Sequence, residues 1–453
     1  MKYNDVYTYD TKHQEYNFNN FNTATEYPEG LNLDIASDKN IYDSFRTLLY
    51  EMGLDKKNYG KPTWNPFSEF IKLNDKVVIK PNLVNHINGI LENGTDCLIT
   101  NFSILRPIID YTIIALKGTG SIIVGDAPVQ GCIFEEVTKL YGLKDAIKMY
   151  NSNGYNIKLK DFRKNDNLNV ECILVNLGAD SSLVDVDKYA KKYAITNYNL
   201  KEMHKHHSKG KHEYLIAKDV LEADVLINVP KPKSHRKAGM TACMKNFVGI
   251  NAKKEYLPHH RNGSIAFNGD EYPEKSVIKK MWSITKNYTY TKNKIIMFFL
   301  KLLDFAQLVL KKNRYKEGSW YGNDTIWRTI LDINKIVLYA DKNGKITNKK
   351  QRTIFNVADM IICGEKEGPL LPSPKKVGYL IASFNQLNMD KTISNIMGFD
   401  ENKIKYIKNG YELKKYKISD DKKFIVWKKE KKINPKELNK NFKASDGWKD
   451  YLN

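Results

Sequence analysis

The sequence predicts an α/β protein of mostly parallel sheets with flanking helices, arranged as two lobes with a cleft between them and interrupted by a helical insertion. Three observations carry that prediction. Short runs of Val, Ile and Leu alternate with segments whose apolar residues recur at helical intervals, the pattern of a parallel sheet. Apolar runs break off abruptly into polar, proline-punctuated tails: Lys80-Pro81-Asn82, Asp126-Ala127-Pro128 and Pro230-Lys231-Pro232-Lys233. At 453 residues the chain is long enough for more than one core.

Residues 1–40 are polar and rich in Asn and Tyr, and read as a loosely packed N-terminal arm. Residues 41–275 read as an α/β lobe carrying a basic, histidine-rich segment. Phe45, Leu48, Leu49 and Met52 have helical spacing, Lys76-Val77-Val78-Ile79 is a strand, residues 100–116 repeat the helical spacing, and Gly120-Ser121-Ile122-Ile123-Val124-Gly125 is the next strand. A helix over 134–141 and weaker strands over 170–175 and 193–196 precede Val225-Leu226-Ile227-Asn228-Val229, a buried strand stopped by Pro230. Residues 276–345 interrupt the alternation with a helical insertion and a polar helix on which Asp324, Arg328 and Asp332 share a face, as a salt-bridge ladder or aimed at the cleft. Residues 346–400 close the α/β pattern, with strands at 357–363 and 377–382 and a helix at 390–397. Residues 401–453 form a lysine-rich C-terminal edge element with one strand at 424–427.

Lys and Arg outnumber Asp and Glu 73 to 52, a formal charge of +21, which points to an anionic partner unless it merely reflects AT-rich coding. No helix-turn-helix, zinc-finger or RNA-recognition signature accompanies the charge, so nucleic acid ranks last among partners. The five cysteines (Cys97, Cys132, Cys172, Cys243, Cys363) form no Cys-x-x-Cys pair, and no iron-sulfur cluster is expected. No signal-peptide core or spanning stretch is visible, so a cytoplasmic protein is expected. The apolar run from Ile295 to Leu310 has basic ends at Lys292, Lys294, Lys311 and Lys312. It reads as a helix packed on the sheet or in an oligomer interface, or as a peripheral contact with the inner face of an anionic membrane. The oligomeric state is left open.

In open α/β sheets ligands bind beyond the carboxyl ends of the strands, where loops and helix N-termini gather. Lys80 and Asn82, Asp126, and Lys231 with Lys233 all lie at such endings. Lys80, Asn82, Lys231 and Lys233, together with Arg236, Asn246, Arg261 and Arg328, are candidates to bind a phosphorylated or carboxylated substrate, and Gly368 permits close approach of a ligand to the backbone. His235, His259, His260 and Lys245 are the candidate catalytic groups, because an imidazole titrates near working pH. Asp126, Asp270 and Glu271 are candidates to hold a divalent cation, the one cofactor the residues suggest. His204, His206, His207 and His212 form a second cluster, read as metal-binding or as a polar loop.

These residues resemble the bacterial and archaeal domain of unknown function 362 over most of the chain, from Lys76 to about Phe399. The resemblance rests on Lys80-Pro81-Asn82, Gly125-Asp126, Pro230-Lys231-x-Lys233-x-His235, Gly239-x-Thr241, Lys245-Asn246-x-x-Gly249 and Gly364-Glu365-x-x-Gly368-Pro369. Leu257-Pro258-His259-His260-Arg261 with Gly269-Asp270-Glu271-Tyr272 resembles a subgroup found among surface-polysaccharide genes. Some members carry ferredoxin-type cysteines that this chain lacks. The organisation is also similar to that of the lactate racemase family, which uses a His/Lys-rich cleft between α/β lobes and a nickel pincer cofactor.

The expected function is therefore an enzyme acting on an anionic small molecule or glycan precursor, by transfer or metal-assisted phosphate chemistry, in surface-polysaccharide biosynthesis. The alternatives are a non-catalytic cytoplasmic binder of a polyanionic or lipid-linked glycan, and a racemase or epimerase by analogy with lactate racemase.

Overall fold

Apolar runs without alternation make strands that must be covered on both faces, and that requirement organises the molecule. The computed structural model describes residues 3–89, 94–164, 170–310 and 314–452. Its central sheet has eleven strands. They are β1 (Val6–Asp10), β2 (Lys76–Pro81), β3 (Ser121–Asp126), β4 (Ile157–Asp161), β5 (Val225–Val229), β6 (Lys233–His235), β7 (Gly239–Thr241), β8 (Thr353–Glu367), β9 (Leu371–Ser383), β10 (Val426–Lys428) and β11 (Lys431–Ile433). The order is β11-β10-β1-β9-β8-β5-β2-β3-β4, with β6 pairing β8 and β7. From β8 to β4 the strands are parallel; β9 runs antiparallel to β8 and β1.

The two-residue period of a strand divides the apolar residues between two cores. Val77 and Ile79 enter one and Val78 the other, just as Val225 and Ile227 part from Leu226. Helices α1 (Lys39–Glu51) and α2 (Phe102–Leu116) cover the first face with Leu48, Leu49, Ile104 and Ile108. A hairpin of α3 (Val277–Lys286) and α4 (Lys294–Val309) comes next, and α5 (Ile326–Tyr339) and α6 (Gln386–Met397) cover the second face with Ile330, Ile333, Leu387 and Ile393.

Two expectations are corrected here. The first forty residues are no loose arm: β1 lies inside the sheet order between β10 and β9, with Tyr7 opposite Ala382. The hairpin of Asn19–Asn22 and Asp34–Ser37 is pinned from below by Arg106, fully buried in α2, which donates to the carbonyls of Phe21, Leu33 and Ile35. The apolar run 295–310 does not pack on the sheet either. It buries Leu300 and Leu303 against Trp282 of α3 in a small core of its own. Its flanking Lys311 and Lys312 lie outside the described residues. Among the described residues no helix is long and apolar enough to cross a membrane.

A second layer closes over the carboxyl edge of the sheet. It contains a small sheet of Cys172–Asn176, Lys211–Ala217 and His207–Ser208, and the pair Tyr193–Ala194 with His260–Arg261. Residues 249–252 stitch the layers together: Ala127 N, just past β3, donates to Gly249 O at 2.7 Å, and Ala252 N donates to Leu215 O at 2.7 Å.

Candidate functional site

Parallel neighbours end side by side, so the last residues of β2 and β3 must meet. Lys80 Nζ lies 2.7 Å from Asp126 Oδ1, with both side chains buried. Lys80 also donates to Pro81 O at 2.8 Å and Asn246 Oδ1 at 3.1 Å, while Asp126 accepts from Leu83 N at 2.7 Å and Ala127 N at 2.9 Å. A buried ion pair persists when its remaining polar valences are filled, as they are here. Gly249 passes directly over the pair; a Cβ there would stand 2.1 Å from Asp126 Oδ1 and 2.8 Å from Lys80 Nζ. Beside the pair runs a chain of buried amides. Asn82 Nδ2 donates to Asn246 Oδ1 (2.9 Å), Asn246 Nδ2 to Asn228 Oδ1 (2.8 Å), Asn228 Nδ2 to Asn356 Oδ1 (2.8 Å) and Asn356 Nδ2 to Ser383 O (3.1 Å).

These groups form one wall of a cavity of about 200 Å³ between the sheet edge and the second layer. Its charged lining holds six cations, Lys80, Lys233, Arg236, Lys237, Lys245 and Lys254, against one carboxylate, Asp126. Ion pairs take up Lys80 and Arg236, the latter with Glu317 at 3.2 Å. Among the described residues the other four lysines make no ion pair. Lys233 Nζ rests on Leu98 O (2.6 Å) and Asn82 Oδ1 (3.1 Å), and Lys254 Nζ on Ala127 O (2.7 Å). Burial, reinforced by Lys231, pushes the Lys233 ammonium down to about 7. Burial, with Lys254, Lys237 and Lys80 nearby, does the same to Lys245. Lys237 and Lys254 are pushed down to about 8, again chiefly by burial. Thr241 Oγ1 is buried in the same wall with no partner among the described residues. Buried ammonium groups without carboxylate partners are chemistry suited to an anion.

Two imidazoles line the cavity with opposite hydrogen bonding. His235 Nδ1 accepts from Lys237 N (3.0 Å) and Ala238 N (3.2 Å), which places the ring proton on Nε2. His259 Nδ1 lies 2.6 Å from Leu257 O, a group that only accepts, so this ring carries its proton on Nδ1 and a lone pair on Nε2. Burial first and neighbouring lysines second hold both rings well below the usual imidazole range, hence neutral at pH 7.

Of the residues the sequence singled out, Lys80, Asn82, Asp126, Lys233, His235, Arg236, Lys245, Asn246 and His259 are brought together in this lining. Gly368 sits behind the wall: a Cβ there would stand 2.0 Å from Ser234 O, and its neighbour Pro369 faces the cavity. The others lie elsewhere. Lys231 is wholly buried against Asp359 at 2.9 Å and receives no ligand-facing role. His260 turns away toward Gly318, its Nδ1 without a partner among the described residues. Arg261 pairs with Asp270 (3.7 Å) and Asp324 (3.6 Å), and Arg328 with Asp185 (2.8 Å). The expected metal trio does not assemble. Asp126 is held by Lys80, Asp270 accepts from Thr325 Oγ1 and Asp324 N, and Glu271 accepts from Gly263 N and Ser283 Oγ. Among the described residues no three His, Cys, Asp or Glu side chains converge as a metal set, His204 to His212 included. That cluster is structural: His204 Nε2 meets Tyr193 O, His206 Nδ1 meets Glu213, and His207 Nε2 meets Tyr256 O. Asp332 likewise ties Tyr214 and Ser182 N to α5. Sequence reasoning missed Lys237, Lys254, Thr241 and Gly249 as cavity groups, although Lys237 stands in the basic run and Thr241 and Gly249 in quoted motifs.

No curated protein matches the chain. Among solved structures it is similar to the lactate racemase apoprotein from Thermoanaerobacterium thermosaccharolyticum, at 12% identity and a TM-score of 0.32, covering 76% of this chain and 55% of that one. The chain thus spans about half the length of that protein, and a likeness this faint carries no argument about function. The family model described as Domain of unknown function (DUF362) matches residues 182–395, which supports the DUF362 family for the stretch that holds β5 to β9 and most of the cavity wall.

Proposed function

We propose that the chain is an enzyme that holds a small phosphorylated or carboxylated molecule among the cavity lysines and performs acid/base chemistry on it with His235 and His259. One observation carries the reading: the two rings line the same cavity in opposite tautomers, with the proton on Nε2 in His235 and on Nδ1 in His259. Both rings are neutral at pH 7, so the bare Nε2 of His259 can take a proton while the Nε2–H of His235 can donate a hydrogen bond to an oxygen on which charge develops. Negative charge that develops on the substrate as a proton leaves is met by Lys233 and Lys245, fixed in a water-poor wall where such contacts are strongest. A phosphate-bearing glycan precursor is the finer reading, supported by the resemblance of residues 257–272 to members found among surface-polysaccharide genes. Proton removal on one side and return on the other is also the work of a racemase or epimerase, and the opposed imidazole pair favours that as the second reading.

A thermal-shift screen with inorganic phosphate, sugar phosphates and 2-hydroxy acids finds the ligand, and deuterium incorporation from heavy water into it reads the chemistry. His235→Gln and His259→Gln are each expected to lower turnover by about 10²–10⁴-fold while the ligand-induced shift persists; Lys245→Met is expected to abolish the shift. Binding that depends on the lysines, with no turnover in the unsubstituted protein on any bound ligand, would identify a binder instead.

A further inference from the structure

We propose that the α3–α4 hairpin docks the protein on an anionic lipid surface. In α4, Ile295, Phe298, Leu302, Phe305 and Val309 recur at steps of three and four and so share one face, and they are 78%, 64%, 49%, 66% and 63% exposed. The opposite face buries Leu300, Leu303 and Gln307. α3 repeats the arrangement: Val277, Met281 and Ile284, with Tyr288 just beyond, are exposed, while Lys279, Trp282 and Ser283 are buried. Each helix therefore turns one side into the hairpin and a second, apolar one to solvent. Phe267, 60% exposed, extends that surface through a groove it shares with Val277 and Ile284. An unpartnered patch of this kind marks an interaction site.

A second copy of the chain and a lipid surface compete for it, and charge decides between them. Residues 275–316 contain eleven Lys and Arg and one acidic residue, Asp304. That carboxylate is already taken by Trp282 Nε1 at 2.9 Å and Lys316 Nζ at 2.7 Å. Two copies meeting through this face would bring the like-charged rims together, which selects against self-association. Four of these cations are already paired, Lys279 with Glu274, Lys286 with Glu317, Lys316 with Asp304 and Arg314 with Asp446 and Asp450, and anionic headgroups would take the exposed Lys280, Lys294 and Lys301. At 16 residues α4 is short of a span, so the hairpin lies along the headgroup region with its rings at the acyl boundary. The inference stands apart from the cavity chemistry.

Flotation of the full-length protein with vesicles of phosphatidylcholine, and of phosphatidylcholine mixed with phosphatidylglycerol, tests it. The protein is expected to rise with the anionic vesicles alone and to be released by added salt. Phe298→Glu combined with Phe305→Glu is expected to lower the bound fraction about tenfold or more, with an unchanged melting temperature because both side chains are exposed. Lys280→Gln, Lys294→Gln and Lys301→Gln are expected to weaken binding about fivefold each. Failure to float with anionic vesicles, undiminished flotation of the double glutamate variant, or a lipid-indifferent dimer that the same variant dissociates would overturn the proposal.

Discussion

A buried lysine with no carboxylate partner releases its proton early, and four of them give the cavity its response to pH. Lys233 and Lys245 titrate at about 7, Lys237 and Lys254 at about 8. In the unfolded chain each titrates near ~10.4, so between these values the unfolded state holds protons that the folded state has shed. Stability of the empty protein is therefore expected to rise as pH climbs from about 7 toward about 10. His235 and His259, whose folded values lie well below the ordinary one, act in the same direction lower down: stability falls as pH drops through about 6.5. Anion affinity should run the other way, because only charged lysines attract, and should weaken as pH rises through about 7 to about 8. Melting curves with and without phosphate across that range separate the two trends; a ligand-induced shift that grew with pH would contradict this account. His259 and His260 show what sequence reading could not distinguish here. They are adjacent and chemically identical, but His260 is fixed by pairing with Ala194, which turns its ring away from the cavity that His259 faces.

The strand endings were legible because the rule that places ligands at the carboxyl edge needs local pattern alone. Lys80, Asp126 and Lys233 met as that rule requires. Lys231 obeys the same rule on paper, yet its partners are Asp359 and the hydroxyl of Tyr16, 215 residues away, and no local pattern reveals them. Gly249 belongs to this scale too, since its role is to let the turn after Asn246 lie against the ends of β2 and β3. Gly249→Ala is expected to drive a methyl group into the Lys80–Asp126 pair, lower stability by about 3 kcal/mol and remove the phosphate-induced thermal shift. An unchanged urea midpoint in that variant would show that the pair yields without consequence.

Across the whole molecule, β1 joins segments that the chain keeps far apart: Ile425 N donates to Asp5 Oδ1 over a separation of 420 residues, and Tyr7 pairs with both Ala382 and Trp427. Averaged over forty polar residues, a five-residue strand leaves no compositional trace, which is why it reads as an arm. Deleting residues 3–12 would uncover the flanks of β9 and β10 and is expected to abolish the single cooperative melt and promote aggregation, as followed by calorimetry and light scattering. The amide chain from Asn82 to Asn356 imposes a different kind of demand. Asn228 and Asn356 sit on β5 and β8, Asn82 just past β2 and Asn246 in the short helix Cys243–Asn246, so sliding β5 or β8 by a single residue would turn an amide to the other face and strand its neighbours without partners. The relay thus acts as a checksum on assembly: the cavity exists only in the alignment for which every carboxamide finds its complement.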